Sequence, residues 1–236
     1  MKFIKIFSVK YLAPLAGFIV YWLSKFLAVY FNIFKKRTKI DEQFQKRLSV
    51  FFTEIDFSKV RIIHNAFLPA NIFNNKIAGM TYGNSIYTVY PDLLNNYNGF
   101  YTLIHELVHV GQMQKLNESV FSLKYGRQFF EYGGYSDKMP LEKQAYDFVR
   151  FIPFDPTWYL LHNTDISIEV KGSRLGALFQ WLEKGVFEDR QSCEWFHASK
   201  YLNKYKDLSD TFGTTNFTAA IRHWIVYGKY EGREGM

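Results

Sequence analysis

Cysteine is almost missing from this 236-residue chain, where Cys193 stands alone. A single thiol excludes an internal disulfide framework and a cysteine-rich zinc site. It says little about compartment, because proteins without disulfides occur on both sides of a membrane. Acidic residues are missing from the first 40 positions, which hold Lys2, Lys5, Lys10, Lys25, Lys35, Lys36, Arg37 and Lys39. The formal net charge of +7 is therefore local, since the remaining residues hold 21 basic and 22 acidic side chains. A neutral body makes nucleic acid an unexpected partner, and the basicity of the N-terminal segment points to a membrane surface instead. The polarity of a disordered chain is missing too. At 48% hydrophobic and 19% aromatic residues, the sequence has ample material for a core. Its length suits one large domain or two small ones.

From Tyr11 to Phe34 the sequence is apolar except for Ser24, Lys25 and Asn32. That length crosses a bilayer, basic clusters flank both ends, and Tyr11, Tyr21, Trp22 and Tyr30 suit the interfaces. Residues 1–40 are therefore expected to form a membrane anchor, spanning or in-plane. Two rivals remain. A cleaved signal peptide lacks a clear small-x-small site after the apolar run. An aromatic-rich helix packed on its own domain is the other. Lys25 argues against a clean central span, although a long side chain can snorkel. Lysines on both sides leave the orientation undecided.

The chemistry concentrates in Tyr101-Thr-Leu-Ile-His105-Glu106-Leu-Val-His109-Val-Gly-Gln112. On a helix, residues four apart share a face, so both imidazoles can address one Zn²⁺. Glu106 is rotated about 100° from His105 and falls beside such an ion, where a base for an activated water belongs. Asn98 is the expected cap of this helix, which should run to about Leu116. Leu103, Ile104, Leu107, Val108 and Val110 surround the histidines, so the helix is expected to be buried.

Before it, Asp41–Phe52 reads as a short amphipathic helix, with Phe44, Leu48 and Phe51 at helical spacing. Val60–Ala66 reads as a strand, and Ile77–Tyr82, Gly83-Asn84 and Ser85–Tyr90 as a hairpin ended by Pro91. An exposed strand edge just before a zinc helix can hold an extended peptide across the metal; scaffold is the equal alternative. His64, alone in a strand, reads as structural. After the motif, Asn117 should open a second helix ending near Tyr132 at Gly133-Gly134, and Pro140 a third. That third helix offers two carboxylates, Glu142 and the more distant Asp147, for the third ligand a catalytic zinc site requires.

Three pieces in order carry a resemblance: Ala78-Gly-Met-Thr81-Tyr-Gly83-Asn84-Ser-Ile86-Tyr87, the histidine motif through Gln112, and Tyr135-Ser-Asp-Lys-Met-Pro140-Leu-Glu142-Lys-Gln-Ala145-Tyr146. Over about residues 55–152 the chain resembles the small HExxH zinc metallopeptidase domain of uncharacterised bacterial proteins, which also occurs on cargo of extracellular contractile injection systems. The resemblance implies a minimal zincin-like fold. It implies His105, His109 and Glu142 as zinc ligands, Glu106 as general base, and a peptide or protein as substrate. Gln144 stands where relatives often carry another acid, which removes one competing ligand. Tyr125, Tyr132 and Tyr135 are near enough in sequence to be candidates for stabilising an oxyanion. Asp147 is a candidate for holding a ligand histidine from behind.

Phe-Ile-Pro153-Phe-Asp-Pro156 marks a boundary. Beyond it, residues 154–190 recur as 196–233: Tyr159-Leu160 matches Tyr201-Leu202, Trp181 matches Trp224, and Gly185, Glu188 and Arg190 match Gly228, Glu231 and Arg233. Each unit is expected to be two or three short helices closed by a glycine turn, with Glu188/Arg190 and Glu231/Arg233 as ion-pair candidates. The units are similar to the short YL…GxxEGR-type repeats attached to many bacterial enzymes and surface proteins. That similarity implies a helical accessory module whose ligand is unspecified. His162, His197 and His223 lack ligand spacing and read as structural or surface residues. The expected whole is α+β and mainly helical: an anchor over 1–40, a metallopeptidase domain over 41–152 and a repeat module over 153–236. The expected function is zinc-dependent peptide-bond hydrolysis at a membrane. The alternative is a catalytically inactive, zinc-stabilised interaction domain whose repeats bind a partner.

Overall fold

The computed structural model describes residues 12–73 and 76–236. Lys2, Lys5, Lys10 and Tyr11 of the N-terminal segment lie outside the described residues. Helix makes up 59% of the chain and strand 7%, so the class is α+β with helix dominant. The chain divides into two compact units. One comprises the chain up to Ile40 together with Ile55–Val149; the other comprises Asp41–Glu54 and Arg150–Met236.

The first unit begins with α1 (Ala13–Phe31), which is long and apolar enough to cross a membrane. A four-stranded sheet follows, in the order β1 (Arg37–Thr38), β2 (Arg61–Ile63), β4 (Ser85–Thr88), β3 (Gly79–Tyr82). The β2–β4 pair is parallel and the other two are antiparallel, so the hairpin leaves β3 at the edge. The expected turn is there: Gly83 takes a positive φ of 59°, which glycine adopts without steric cost. The strand expected over Val60–Ala66 is shorter than its β-branched run. His64, just past its end, is buried and bonded through Nε2 to the Thr38 hydroxyl at 2.8 Å, which is a structural role.

Helix α3 (Tyr97–Leu116) lies against the hairpin, with Phe100, Leu103, Ile104, Leu107 and Val110 fully enclosed. Its cap is Asn96 rather than Asn98: the Asn96 carboxamide accepts from the Gly99 amide at 2.8 Å. Asparagines stand at 95, 96 and 98, and the one that caps has an extended backbone and reaches forward to the otherwise unpaired amide of the first turn. Asn117 ends α3 at a positive φ of 58° and caps α4 (Glu118–Glu131) by accepting from Val120. Gly133 and Gly134 end α4 as expected, and α5 (Pro140–Arg150) begins at its proline.

The second unit contains the repeats. Helices α6 (Pro156–His162), α7 (Thr164–Glu169) and α8 (Arg174–Gln180) run into a π-helical turn, Trp181–Gly185. Helices α9 (Ala198–Lys204), α10 (Lys206–Phe212) and α11 (Phe217–His223) run into another, Trp224–Gly228. The two tryptophans and Tyr159 and Tyr201 are fully buried. In each repeat the tyrosine hydroxyl sits under the closing glycine, where a Cβ would come within 2.4 Å of it at Gly185 and 2.1 Å at Gly228. Both expected ion pairs form, and each arginine also binds an aspartate of the middle helix: Arg190 with Asp165, Arg233 with Asp207.

One boundary differs from expectation. Its position in the sequence puts the short helix α2 (Glu42–Leu48) in the expected 41–152 segment, but Asp41–Glu54 groups with the repeats. Its apolar face explains the difference. Phe44 packs on Phe179, Phe51 on Trp181, and Arg47 pairs with Glu183 at 2.8 Å.

Candidate metal centre

Helix α3 presents His105 and His109 one turn apart, with their Nε2 atoms 3.3 Å from each other. The first turn of α5 brings in Glu142, whose Oε2 lies 3.3 Å from His105 Nε2 and 3.4 Å from His109 Nε2. Thus three ligating atoms from two helices converge closely enough to bind one metal ion. His109 and Glu142 are buried and His105 is half-buried.

A buried carboxylate between two imidazoles polarises all three groups. Burial alone would raise the Glu142 pKa, but His109 and His105 outweigh it and hold the carboxyl well below the usual range. Burial likewise opposes charge on His109, but the adjacent Glu142 prevails and lifts its pKa to about 9 in the metal-free protein. Both oxygens of Glu142 have further partners. Tyr125 donates to Oε1 at 2.8 Å, and Tyr135 donates to Oε2 at 3.4 Å. Burial first, and then the neighbouring Glu142, raise the pKa of both phenols well above the ordinary value, so they stay protonated.

The orientation of His109 is fixed from behind by Gln112. The Gln112 amide nitrogen donates to the Leu141 carbonyl at 3.1 Å and to Gln144 Oε1 at 2.8 Å. Its oxygen therefore faces His109 Nδ1, 2.9 Å away, and receives that proton. It is then Nε2 that faces Glu142 and His105, and on giving up its proton to a metal it presents the lone pair of the tautomer a metal ligand needs.

Glu106 stands beside the cluster rather than in it. It is buried, and its Oε2 accepts from the Thr81 hydroxyl at 2.7 Å. Edge strand β3 makes room for it at Gly79, where a Cβ would sit 2.7 Å from Oε1. All four residues line one cavity of about 730 Å³, walled by parts of α1, β3, α3, α4 and α5.

Of the tyrosines singled out from sequence, Tyr125 and Tyr135 reach the centre and Tyr132 does not. Tyr132 lies about two helical turns beyond Tyr125, at the exposed end of α4 and away from the cavity lining. Asp147 is placed differently from Glu142. Five residues past Glu142 it is rotated about 140° around α5, and it pairs with Lys143. Gln112 occupies the position expected of it. Sequence reasoning also missed Tyr146, whose ring meets His105 at 4.5 Å and whose hydroxyl bonds Tyr135 at 2.7 Å. Spacing offered a clue to both: Gln112 follows His109 by three and Tyr146 follows Glu142 by four, so each pair shares a helix face. Thr81 and Gly79 gave no such clue, because only the packing of the hairpin on α3 brings them to Glu106. The remaining histidines are engaged locally: His162 with the Trp158 carbonyl, His197 with that of Asp189, and His223 with Tyr201. Compared with models of known protein families, with curated proteins and with solved structures, the chain matches none.

Proposed function

We propose that this chain is a zinc-dependent metallopeptidase with a zincin-like catalytic unit, held at a membrane through its N-terminal segment, with the helical repeats as an accessory module. The observation that carries the reading is the triangle of His105 Nε2, His109 Nε2 and Glu142 Oε2, with sides of 3.3–3.4 Å. Zinc takes nitrogen and oxygen ligands at about 2.0–2.1 Å in a tetrahedron, which places neighbouring donors about 3.3 Å apart. The donor set, its spacing and the fixed tautomer of His109 all fit this ion. When bound, zinc supplies Lewis-acid activation of a carbonyl and of water near neutral pH.

The protein's own residues divide the remaining work. Glu106, held at one oxygen by Thr81, is placed to take a proton from the attacking water and return it to the leaving amine. Tyr135 and Tyr146, hydrogen-bonded to each other and kept protonated, are the donors near the centre suited to a developing oxyanion. Tyr125 and Gln112 hold Glu142 and His109 in place. A purely structural zinc site favours a fourth protein ligand. Among the described residues only three metal-capable groups converge here, and they line an open cavity.

The test is Glu106→Gln. Peptide cleavage by the zinc-loaded protein should fall by about 10²–10⁴-fold, the usual worth of a positioned acid–base group, while bound zinc measured by elemental analysis is unchanged. Undiminished cleavage would remove Glu106 from the mechanism. If the wild type neither holds zinc nor cleaves a peptide library, the whole reading fails.

A further inference from the structure

Helix α1 has two faces of opposite character, and both run its full length. On one face Gly17 meets Gly126 of α4 so closely that a Cβ on Gly17 would lie 2.1 Å from the Gly126 Cα. Further along, Tyr21 and Lys25 both bond Glu118, at 2.8 Å and 2.7 Å. Ser24 bonds the Tyr82 hydroxyl at 2.6 Å, and Asn32 clasps both backbone groups of Phe67 at 2.7–2.8 Å. At 100° per residue these five positions fall on one stripe. The opposite stripe is Leu12, Leu15, Ile19, Leu23, Phe26 and Tyr30, each more than half exposed. It carries no charge. Just past its end stand Lys35, Lys36, Arg37 and Lys39, all exposed.

We infer that α1 lies in the plane of an anionic lipid bilayer, with its outer stripe in the acyl boundary and its inner stripe on the catalytic unit, and does not cross the membrane. The inference rests on the membrane attachment proposed above and specifies its geometry. A spanning α1 would have to release the polar contacts of Tyr21, Ser24, Lys25 and Asn32, or take its partner helix into hydrocarbon. Helix α4 carries Lys124, Arg127 and Glu131 exposed on its surface, and charged side chains are costly at the bilayer centre. An in-plane helix meets neither cost, because an apolar stripe and a nearby basic cluster are what an anionic interface attracts.

The same geometry sets where the cavity opens. Gly17, Val20, Tyr21 and Ser24 of α1 line it together with Phe129 and Phe130 of α4, and Val20 and Phe130 are also exposed. The cavity rim is therefore continuous with the lipid-facing stripe. Chain segments lying at the bilayer surface are the substrate class that reaches it without leaving the membrane.

The test needs neither zinc nor turnover, so it is separate from the test of catalysis. Lys10→Cys and Lys36→Cys are made singly in the full chain; the native Cys193 is fully buried and can stay. Sealed membranes from expressing cells, right-side-out and inverted, are treated with a membrane-impermeant maleimide. Both cysteines should react in the same one of the two preparations. Reaction of the two in opposite preparations would establish a span and overturn the inference. So would recovery of the chain in the soluble fraction, whether as a monomer or as a dimer joined through this stripe. For the rim, an environment-sensitive dye on a Phe130→Cys variant should shift to the blue when the purified protein meets vesicles of phosphatidylcholine and phosphatidylglycerol. An unshifted dye on a variant that still floats with the vesicles would remove the claim about where the cavity opens.

Discussion

The protein holds carboxylates against cations in two very different settings. In the first unit Glu142 is enclosed between His105 and His109, with Tyr125 and Tyr135 on its oxygens. In the second, Arg190 and Arg233 each gather two acids at the surface. The surface clusters need no special explanation, since water screens them and they tie one end of a repeat to its middle helix. The enclosed cluster does need one. Burying a carboxylate beside two imidazoles carries a desolvation cost that their mutual attraction offsets at best in part, so stability alone does not account for it. The same pairing of opposite charges is therefore a candidate metal site in one place and a fastening in the other, and burial tells them apart.

Substitutions can test that distinction. The largest effect is expected from Glu142→Ala, which should abolish stoichiometric zinc binding after dialysis against a weak chelator, measured by elemental analysis. Retention of tightly bound zinc would show that the enclosed cluster is not the metal centre. Next, Gln112→Ala should weaken zinc affinity by about 10–100-fold, as is usual for residues that orient a ligand histidine. Competition with a chromogenic chelator measures it, and an unchanged affinity would mean that His109 needs no support. In the repeats, Gly185→Ala or Gly228→Ala drives a methyl group into a buried tyrosine hydroxyl. Either should cost about 1–3 kcal/mol in chemical denaturation while leaving zinc binding alone. The smallest effect belongs to the surface clusters. Arg233→Ala should lower the melting temperature slightly, and only above the acid range. Hydrogen bonding to Arg233, chiefly, lowers the pKa of Asp207. A depressed carboxylate pKa contributes stability above its unfolded value, about 3.9, and loses that contribution as pH falls through the folded value. Wild type and variant should therefore converge in acid, and a constant gap would mean that Arg233 acts through packing instead.

Local order was largely legible in the sequence. The histidine helix, the Gly83-Asn84 turn, the proline start of α5 and the duplication announce themselves through spacing and turn chemistry, and the helices and hairpin fall close to where they were expected. The convergence of Glu142 on the histidines was not contained in periodicity. It came from the resemblance, and the folded chain brings the three groups together. What stayed illegible was tertiary. Nothing in Phe44, Leu48 and Phe51 says which apolar surface they will meet, and that surface is on the repeats, at Phe179 and Trp181. Nothing in Ser24, Lys25 and Asn32 says that a globular partner awaits them, so they read as blemishes in a membrane segment when they are its points of attachment.

The junction at Asn117 has a mechanical corollary. One residue both ends α3 and caps α4, so no linker separates the helix bearing the imidazoles from the helix bearing Tyr125. Two walls joined without slack cannot swing apart as independent panels. Relative displacement of the two helices pivots at Asn117 and is largest at the far end of α4, where Gly133 and Gly134 take positive φ values and Tyr135 follows them.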